Sequence, residues 1–236
     1  MNPNNNFKLY IKYLFPLIKI LLIISTAIII IFSCQELYAQ DAGKETPKVR
    51  IGFGGSYGYY SAINRYGGID WEPGYGYGGG LVFENMFSNT FGFHSGIWVT
   101  KCTLKAEFQD YGTSTKEKHE FKTNIITLPF YLITSVGSGF ITLNILTGLN
   151  FSYIAQSYMT PGNNGQQNEN IQKYLGWGQI GAGGGIELLF RITKFTRFFI
   201  SCVGEYYFTR LIEGGNDTGD YLYNANIRAG IMLCTF

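Results

Sequence analysis

Apolar and polar side chains alternate with a period of two along most of the chain after residue 48. Such alternation is typical of β-strands with two unlike faces, because successive side chains point to opposite sides. From Phe140 to Ser157, for example, one parity is apolar and the other is small or polar. The pattern predicts these strands: Val49–Tyr60, Tyr75–Asn85, Thr90–Leu104, Phe121–Val136, Phe140–Ser157, Leu175–Phe190, Arg197–Thr209 and Tyr223–Phe236.

The connections between these strands alternate in length. Short connections are predicted at Met86–Asn89, Gly137–Gly139 and Arg191–Thr196. Long polar ones are predicted at Ser61–Gly74, Lys105–Glu120, Tyr158–Tyr174 and Arg210–Leu222. Outer-membrane barrels of bacteria have short periplasmic turns and long extracellular loops. The sequence therefore predicts an all-β fold, an eight-stranded antiparallel transmembrane β-barrel over residues 49–236.

Alternation by itself leaves a soluble alternative open. A lipocalin-like barrel also alternates, but it turns its apolar side chains inward. The unequal connections and the aromatic residue at the end of the last strand favour the membrane barrel, in which apolar side chains face lipid.

Composition supports strands and argues against a helical membrane protein. The chain of 236 residues contains 31 Gly, 18 Tyr and 19 Phe, a combination that suits strands better than helices. Only 14% of the residues are charged, against roughly 25% in soluble domains. A mean hydropathy of +0.03 is far too low for a bundle of membrane-spanning helices.

The first 39 residues have the pattern of an export signal. Lys8, Lys12 and Lys19 precede an apolar run over residues 20–32, and a cleavage site follows Ala39. We therefore predict a cleaved signal peptide over residues 1–39 and a short periplasmic lead over residues 40–48. Two alternatives remain: an uncleaved membrane anchor, and lipoprotein processing at Cys34.

Without that segment the chain is electrically balanced. The whole sequence has 18 basic and 16 acidic residues, and residues 1–39 contain three lysines and Glu36. A neutral balance gives no indication of nucleic-acid binding. Cys102, Cys202 and Cys234 are far apart and lack metal or redox spacing, so we interpret them as small apolar side chains.

Phe236 ends the last predicted strand. A terminal aromatic residue there is the usual recognition mark for the barrel-insertion machinery, so we interpret Phe236 as an insertion signal. Its parity is opposite to that of the apolar row of this strand: Ala225, Ile227, Ala229, Ile231 and Leu233. Either a bulge lies near the end of the strand or the assignment of its faces fails there.

If the faces are assigned correctly, several ionisable side chains point into the barrel: Arg50, Glu84, His94, Glu187, Glu205 and Arg228. Buried charges are tolerated only when they are paired. Hairpin register places Arg50 near Glu84 at the periplasmic end. In the last hairpin, residue numbers that add to about 433 should face each other, which places Glu205 opposite Arg228. We interpret these residues as structural ion pairs, with a catalytic or proton-conducting cluster as the alternative.

Candidate catalytic groups are few. His94 and Ser95 are adjacent in a strand and face opposite sides, so they cannot act as base and nucleophile. His119 lies in a mixed-charge run that is typical of a solvated loop. The glycine-rich run over residues 177–185 lacks the following helix that a dinucleotide site needs. No metal-ligand spacing is visible, and we predict no catalytic residue, metal or cofactor.

One hairpin carries a family resemblance. The run from Ile125 to Leu132, with Pro129 inside it, is followed after a short turn by Phe140–Gly148 and Leu149–Tyr153. This arrangement resembles PorT-like outer-membrane β-barrel proteins of Gram-negative bacteria, although Thr127 stands where a Glu is frequent. The resemblance implies a small outer-membrane barrel whose relatives mostly lack a defined activity. One branch of that group is associated with protein secretion and gliding.

We therefore predict a non-enzymatic outer-membrane protein whose loops serve binding or envelope integrity. The alternatives are a narrow pore for ions or small solutes, a secretion-associated barrel and a lipid-modifying barrel enzyme. The predicted partners are outer-membrane lipid, the barrel-insertion machinery and an unknown protein or polysaccharide ligand at the loops.

Overall fold

A computed structural model of the chain describes residues 49–64, 69–109, 116–137, 139–161, 169–170, 178–211 and 219–235. All of them belong to one compact unit that spans Thr46–Phe236. The predicted signal peptide with Ala39, the periplasmic lead and the terminal Phe236 lie outside the described residues. Within the described ranges, no helix is long and apolar enough to cross a bilayer.

The described residues form ten strands, of which eight are long and two are short. They are β1 Val49–Asn64, β2 Ile69–Glu72, β3 Gly74–Met86, β4 Phe91–Gln109, β5 Lys116–Val136, β6 Ile141–Pro161, β7 Glu169–Asn170, β8 Gly178–Arg191, β9 Thr196–Arg210 and β10 Asp220–Thr235. The eight long strands pair antiparallel with their neighbours in the chain. Strand β1 also pairs with β10 and closes the ring, which confirms the predicted eight-stranded antiparallel barrel.

The alternation of the sequence matches the two faces of the barrel wall. On β1, Ile51 and Phe53 are exposed on the outside, while Gly52 and Gly54 face the bore. Glycine is needed at some inward positions because large side chains reach across. A Cβ atom on Gly54 would lie 2.9 Å from the ring of Phe199, and one on Gly230 would lie 2.7 Å from the same ring. The buried Phe199 thus fills space that these glycines leave.

The outer surface has a band that fits a bilayer. The exterior of β4 is mainly apolar over residues 91–99 and that of β5 over residues 126–136. These lengths match the about 9–11 residues that a tilted strand needs to cross. Exposed tyrosines mark the extracellular edge of the band: Tyr57, Tyr75, Tyr77 and Tyr153. Exposed phenylalanines mark the periplasmic edge: Phe87, Phe140 and Phe195. Such aromatic girdles are typical of transmembrane barrels.

Three strands continue well beyond this band on the extracellular side. Strands β4, β5 and β6 have 19, 21 and 21 residues, and the short strands β2 and β7 pair with the extended parts of β4 and β6. The prediction of a long polar loop at Lys105–Glu120 is therefore wrong, because β4 runs to Gln109 and β5 begins at Lys116. The predicted loops Ser61–Gly74 and Tyr158–Tyr174 also contain strand residues, both at their ends and, in β2 and β7, within them.

Charged residues sustain strands here because opposite charges face each other across the ladder. Lys118 pairs with Glu107 in the register of β4 and β5, and its Nζ lies 2.7 Å from a carboxylate oxygen of Glu107. The short connections on the other side are confirmed. At one of them, Gly137 and Gly139 have φ values of 92° and 105°, which glycine adopts without strain.

The bore contains more apolar side chains than the alternation predicts. A cluster at the extracellular end includes Tyr60, Leu104, Phe121 and Leu222. Two smaller clusters lie farther along the bore, one around Trp98 and Phe199 and one around Tyr131 and Leu146. Buried polar groups lie among these clusters, so the interior is a packed core.

Candidate functional site

Glu205 lies at the centre of a buried polar network that we call the central cluster: Glu205, Arg228, Tyr131, Tyr207 and Asn224. Its Oε1 accepts hydrogen bonds from Arg228 Nη2 at 2.7 Å and from the Tyr131 hydroxyl at 3.0 Å. Its Oε2 accepts from Asn224 Nδ2 at 2.9 Å and from the Tyr207 hydroxyl at 3.0 Å. Both carboxylate oxygens therefore have two donors, which offsets the cost of burying the charge.

The structure brings Glu205 and Arg228 together, but not by the predicted register. Glu205 faces Asn224 across β9 and β10, while Arg228 faces Ser201. The register predicted for the hairpin, with residue numbers adding to about 433, is therefore wrong by four. A register shift between Tyr221 and Tyr223 lies next to the long connection. The long arginine side chain reaches Glu205 diagonally along the barrel wall.

The central cluster extends across the bore. The guanidinium of Arg228 lies 4.8 Å from the centre of the Trp98 ring, a cation–π contact with β4. On the other side, Tyr207 contacts the Ser152 hydroxyl at 2.8 Å, and Ser152 contacts Thr127 at 2.8 Å. These contacts link β4, β5, β6, β9 and β10 in one layer.

A second network, which we call the periplasmic cluster, contains Arg50, Glu84, His94, Glu187 and Asn144. Arg50 faces Glu84 in the register of β1 and β3, and its Nη1 donates to Oε2 at 2.9 Å. His94 Nδ1 donates to the other oxygen of Glu84 at 3.0 Å. Glu187 accepts from Asn144 Nδ2 at 2.8 Å, and its Oε2 has no hydrogen-bond partner among the described residues.

Three members of the periplasmic cluster could hold a metal ion. Glu84, His94 and Glu187 each offer one ligand atom, and these three atoms lie within 4.8 Å of one another. All three side chains are buried. A histidine nitrogen with two carboxylates suits zinc or manganese. Residue spacing carries no signal for this group, because its members belong to three strands and have no ligand spacing. Arg50 and His94 already occupy both oxygens of Glu84, which opposes cation binding there.

His94 is placed where a dissolved substrate cannot reach it. His94 is 3% exposed, and its neighbour Ser95 faces the outside of the barrel. The prediction that His119 lies in a solvated loop is wrong. His119 lies in β5, and its ring is edge-on to that of Phe108 with 5.0 Å between the ring centres. Its Nε2 lies 3.5 Å from a carboxylate oxygen of Glu117.

Three polar contacts tie the described part of the extracellular end together. Trp71 Nε1 on β2 donates to Asp220 Oδ1 on β10 at 2.8 Å. Burial raises the pKa of the Asp220 carboxyl. Lys118 contacts both Glu107 and Glu72, at 2.7 and 3.1 Å, and these carboxylates raise the pKa of its ammonium group. The contacts hold β2 against the rest of the extracellular sheet.

The cysteines of the described residues are all free. Cys102 and Cys234 are buried, and Cys202 is exposed on the outer wall. They form no disulfide with one another.

Several solved structures of outer-membrane proteins are similar to this chain. Ail, the attachment invasion locus protein of Yersinia pestis, is 15% identical, with 78% of this chain and 99% of that chain covered and a TM-score of 0.38. OprG from Pseudomonas aeruginosa is 12% identical, with 81% of this chain and 97% of that chain covered and a TM-score of 0.47. Neisserial surface protein A is 8% identical, with 81% of this chain and 99% of that chain covered and a TM-score of 0.41. Similarities this distant carry no argument about function.

The comparison with curated proteins gave no match. The model of one family, described as an outer membrane protein beta-barrel domain, matches residues 38–213. This match covers most of the chain, and the closed ring of strands and the apolar band agree with it. The chain therefore belongs to the outer membrane protein β-barrel domain family, and it is a protein of the bacterial outer membrane.

Proposed function

We propose that this protein is a non-enzymatic, sealed scaffold that presents an extracellular β-sheet for binding outside the cell. The observation that carries the proposal is the central cluster, whose buried side chains cross the bore in one layer. Glu205 alone accepts hydrogen bonds from four side chains. A bore filled in this way supports a structural barrel over a narrow pore.

The surface available for a partner is the extension of β4, β5 and β6 with the short strand β2. A cleft of about 370 Å³ lies there, lined by Glu72, Lys105, Ala106, Glu107, Lys118, His119, Glu120 and Thr160. Its lining carries charged side chains of both signs. Such a surface suits a polar partner, a protein or a polysaccharide, held by hydrogen bonds and ion pairs.

Catalysis is disfavoured because neither histidine has the partners that it needs among the described residues. A general base must come within hydrogen-bond reach of its substrate. His94 is buried beside Glu84. His119 lines the extracellular cleft, but the described lining contains no serine or cysteine that it could activate as a nucleophile. The finer assignment to the PorT-like barrels rests on the hairpin of Ile125–Leu132 and Phe140–Tyr153.

Conductance measurements in planar bilayers test the sealed bore. The purified mature protein should give no steady conductance, whereas a known porin in the same bilayers provides the positive control. Steady single-channel steps that change when Glu205 is replaced by Gln would overturn the proposal in favour of a narrow pore.

Cysteine labelling on intact cells tests the display of the extracellular sheet. All variants carry Cys202→Ser, which removes the exposed native thiol. Lys118→Cys should react with a membrane-impermeant maleimide on intact cells. Lys194→Cys, in the short connection between β8 and β9, should react only after permeabilisation. The reverse pattern would show that the sheet faces the periplasm.

A further inference from the structure

Two lysines lie side by side on the outer wall at the extracellular edge of the apolar band. Lys101 on β4 faces Asn124, and Lys122 on β5 faces Thr103. The two lysines are therefore diagonal neighbours across the β4–β5 ladder, at a spacing that long side chains can bridge. We call Lys101 and Lys122 the lysine pair.

The lysine pair belongs to the lipid-facing surface. Lys101 follows Ile97 and Val99 on the same face of β4, and these two are 48% and 52% exposed on the outer wall. Lys122 shares its face of β5 with Ile126 and Leu128. The ammonium groups thus lie where the apolar band ends, at the level at which lysine side chains extend toward lipid headgroups.

The charge of the pair is poorly compensated by the protein. Lys101 has no ion-pair partner among the described residues, and Lys122 has only Glu120, at 3.5 Å. Like charges directly opposite each other on one face of a sheet are destabilising, and long side chains on diagonal positions also come within reach of each other. Lys118, farther out on the same strand, is different because Glu107 and Glu72 both contact it. An anion between Lys101 and Lys122 would remove their repulsion.

Two exposed tyrosines flank the pair. Tyr77 on β3 faces Lys101, and Tyr158 on β6 faces Lys122. Their hydroxyl groups can donate hydrogen bonds to phosphate or sugar oxygens. A phosphate group carries about −1.5 to −2 charges at neutral pH, which matches two ammonium groups. The surface therefore combines cations, hydroxyl donors and an adjoining apolar wall.

We propose that the lysine pair, with Tyr77 and Tyr158, binds a phosphate of the phosphorylated glycolipid in the outer leaflet of the outer membrane. The glycolipid's acyl chains lie along the apolar band, and its phosphate lies between the two ammonium groups. This site is on the outer wall and is separate from the bore. It borders the extracellular cleft, because Glu120 contacts Lys122 and also lines that cleft.

Native mass spectrometry of the detergent-solubilised protein with added bisphosphorylated lipid A tests the proposal. Wild-type protein should bind one lipid A molecule, and the variant Lys101→Gln/Lys122→Gln should bind it at least about tenfold more weakly. Lipid A from which both phosphates have been removed should bind wild type and variant equally weakly. The variant Lys101→Arg/Lys122→Arg, which keeps both positive charges, should bind lipid A as wild type does.

Two matched variants control for general charge effects. Lys118→Gln removes a lysine of the same strand that already has two carboxylate partners, and Lys194→Gln removes one at the opposite edge. Both should bind lipid A within about twofold of wild type, a smaller change than loss of one surface lysine contact would give. Heat-modifiable migration on gels checks that every variant is folded.

Two results would overturn the proposal. One is a Lys101→Gln/Lys122→Gln variant that is folded and binds lipid A as wild type does. The other is equal loss of binding in Lys118→Gln, which would indicate attraction by overall charge. Neither result depends on whether the bore conducts ions or the extracellular cleft binds a partner.

Discussion

The central and periplasmic clusters contain similar charged groups but satisfy them unequally. In the central cluster, Glu205 receives four donors, two on each oxygen. In the periplasmic cluster, Glu84 receives two donors and Glu187 receives one. The carboxylates of Glu84 and Glu187 also lie close together, with ligand atoms within 4.8 Å. A buried carboxylate costs less free energy when more donors surround it.

The two clusters also connect different parts of the barrel. The donors to Glu205 come from β5, β9 and β10, so the central cluster joins strands that are not neighbours in the ring. The hydrogen bonds of Glu84 and Glu187 are with directly facing residues of adjacent strands, although the two carboxyl groups approach each other across the bore. We infer that the hydrogen bonds of the central cluster fix the barrel across its bore, whereas those of the periplasmic cluster reinforce pairings that the backbone already makes.

The largest expected effect is at Glu205. Glu205→Ala should lower the free energy of unfolding by about 3–5 kcal/mol, because it leaves the guanidinium of Arg228 buried without its carboxylate. The double variant Glu205→Ala/Arg228→Ala should lose less than Glu205→Ala alone. Urea unfolding of the protein in lipid vesicles measures both changes. Additive losses in this double-mutant cycle would show that the two side chains are not coupled.

A smaller loss is expected in the periplasmic cluster. Arg50→Ala should cost about 2 kcal/mol, since it removes one charged donor while His94 still bonds to Glu84. The same unfolding measurement applies. A loss as large as that of Glu205→Ala would contradict the difference between the clusters.

Glu187→Gln should have a small effect of the opposite sign. The substitution keeps the oxygen that accepts from Asn144 and removes an ionisable group whose charged form would lie close to Glu84. We expect stability to be unchanged or raised by up to about 1 kcal/mol. Glu205→Gln is the matched control, and it should be clearly destabilising. Equal losses of stability in Glu187→Gln and Glu205→Gln would contradict the difference between the two clusters.

Metal removal should have the smallest effect. Arg50 and His94 bond to both oxygens of Glu84, so we expect no bound metal at Glu84, His94 and Glu187. EDTA should leave the urea midpoint unchanged, and elemental analysis should find no stoichiometric zinc or manganese. One equivalent of metal that is lost in His94→Ala would show that the cluster is a metal site.

The sequence was sufficient for the parts of the fold that depend on local alternation. Strand positions in the apolar band follow from the period of two, and the contact of Arg50 with Glu84 follows from a hairpin whose two strands pair without a register shift. The extracellular extension was missed because Lys, Glu and Gln residues there resemble a solvated loop. Their cross-strand ion pairs, such as that of Lys118 with Glu107, exist only once the register is known.

The candidate sites were less accessible to sequence reasoning. The donors Tyr131 and Tyr207 reach Glu205 because strand tilt brings inward side chains of several strands to one level. The register of a single hairpin does not predict contacts between strands that are not neighbours. For the same reason, the neighbourhood of Glu84, His94 and Glu187 was invisible, and the long connection before β10 displaced the predicted register by four residues.

The pairing of β1 with β10 runs from Val49 opposite Thr235 to Asn64 opposite Asp220. The earliest and latest strands of the barrel therefore share one seam, so the wall cannot be completed until the whole intervening chain is in place. An unfinished barrel would expose two strand edges to hydrocarbon, where unpaired backbone groups cost several kcal/mol each. Assembly should accordingly be all-or-none, and a permuted gene that joins residue 235 to residue 49 by a short linker and opens a connection elsewhere should yield the same barrel.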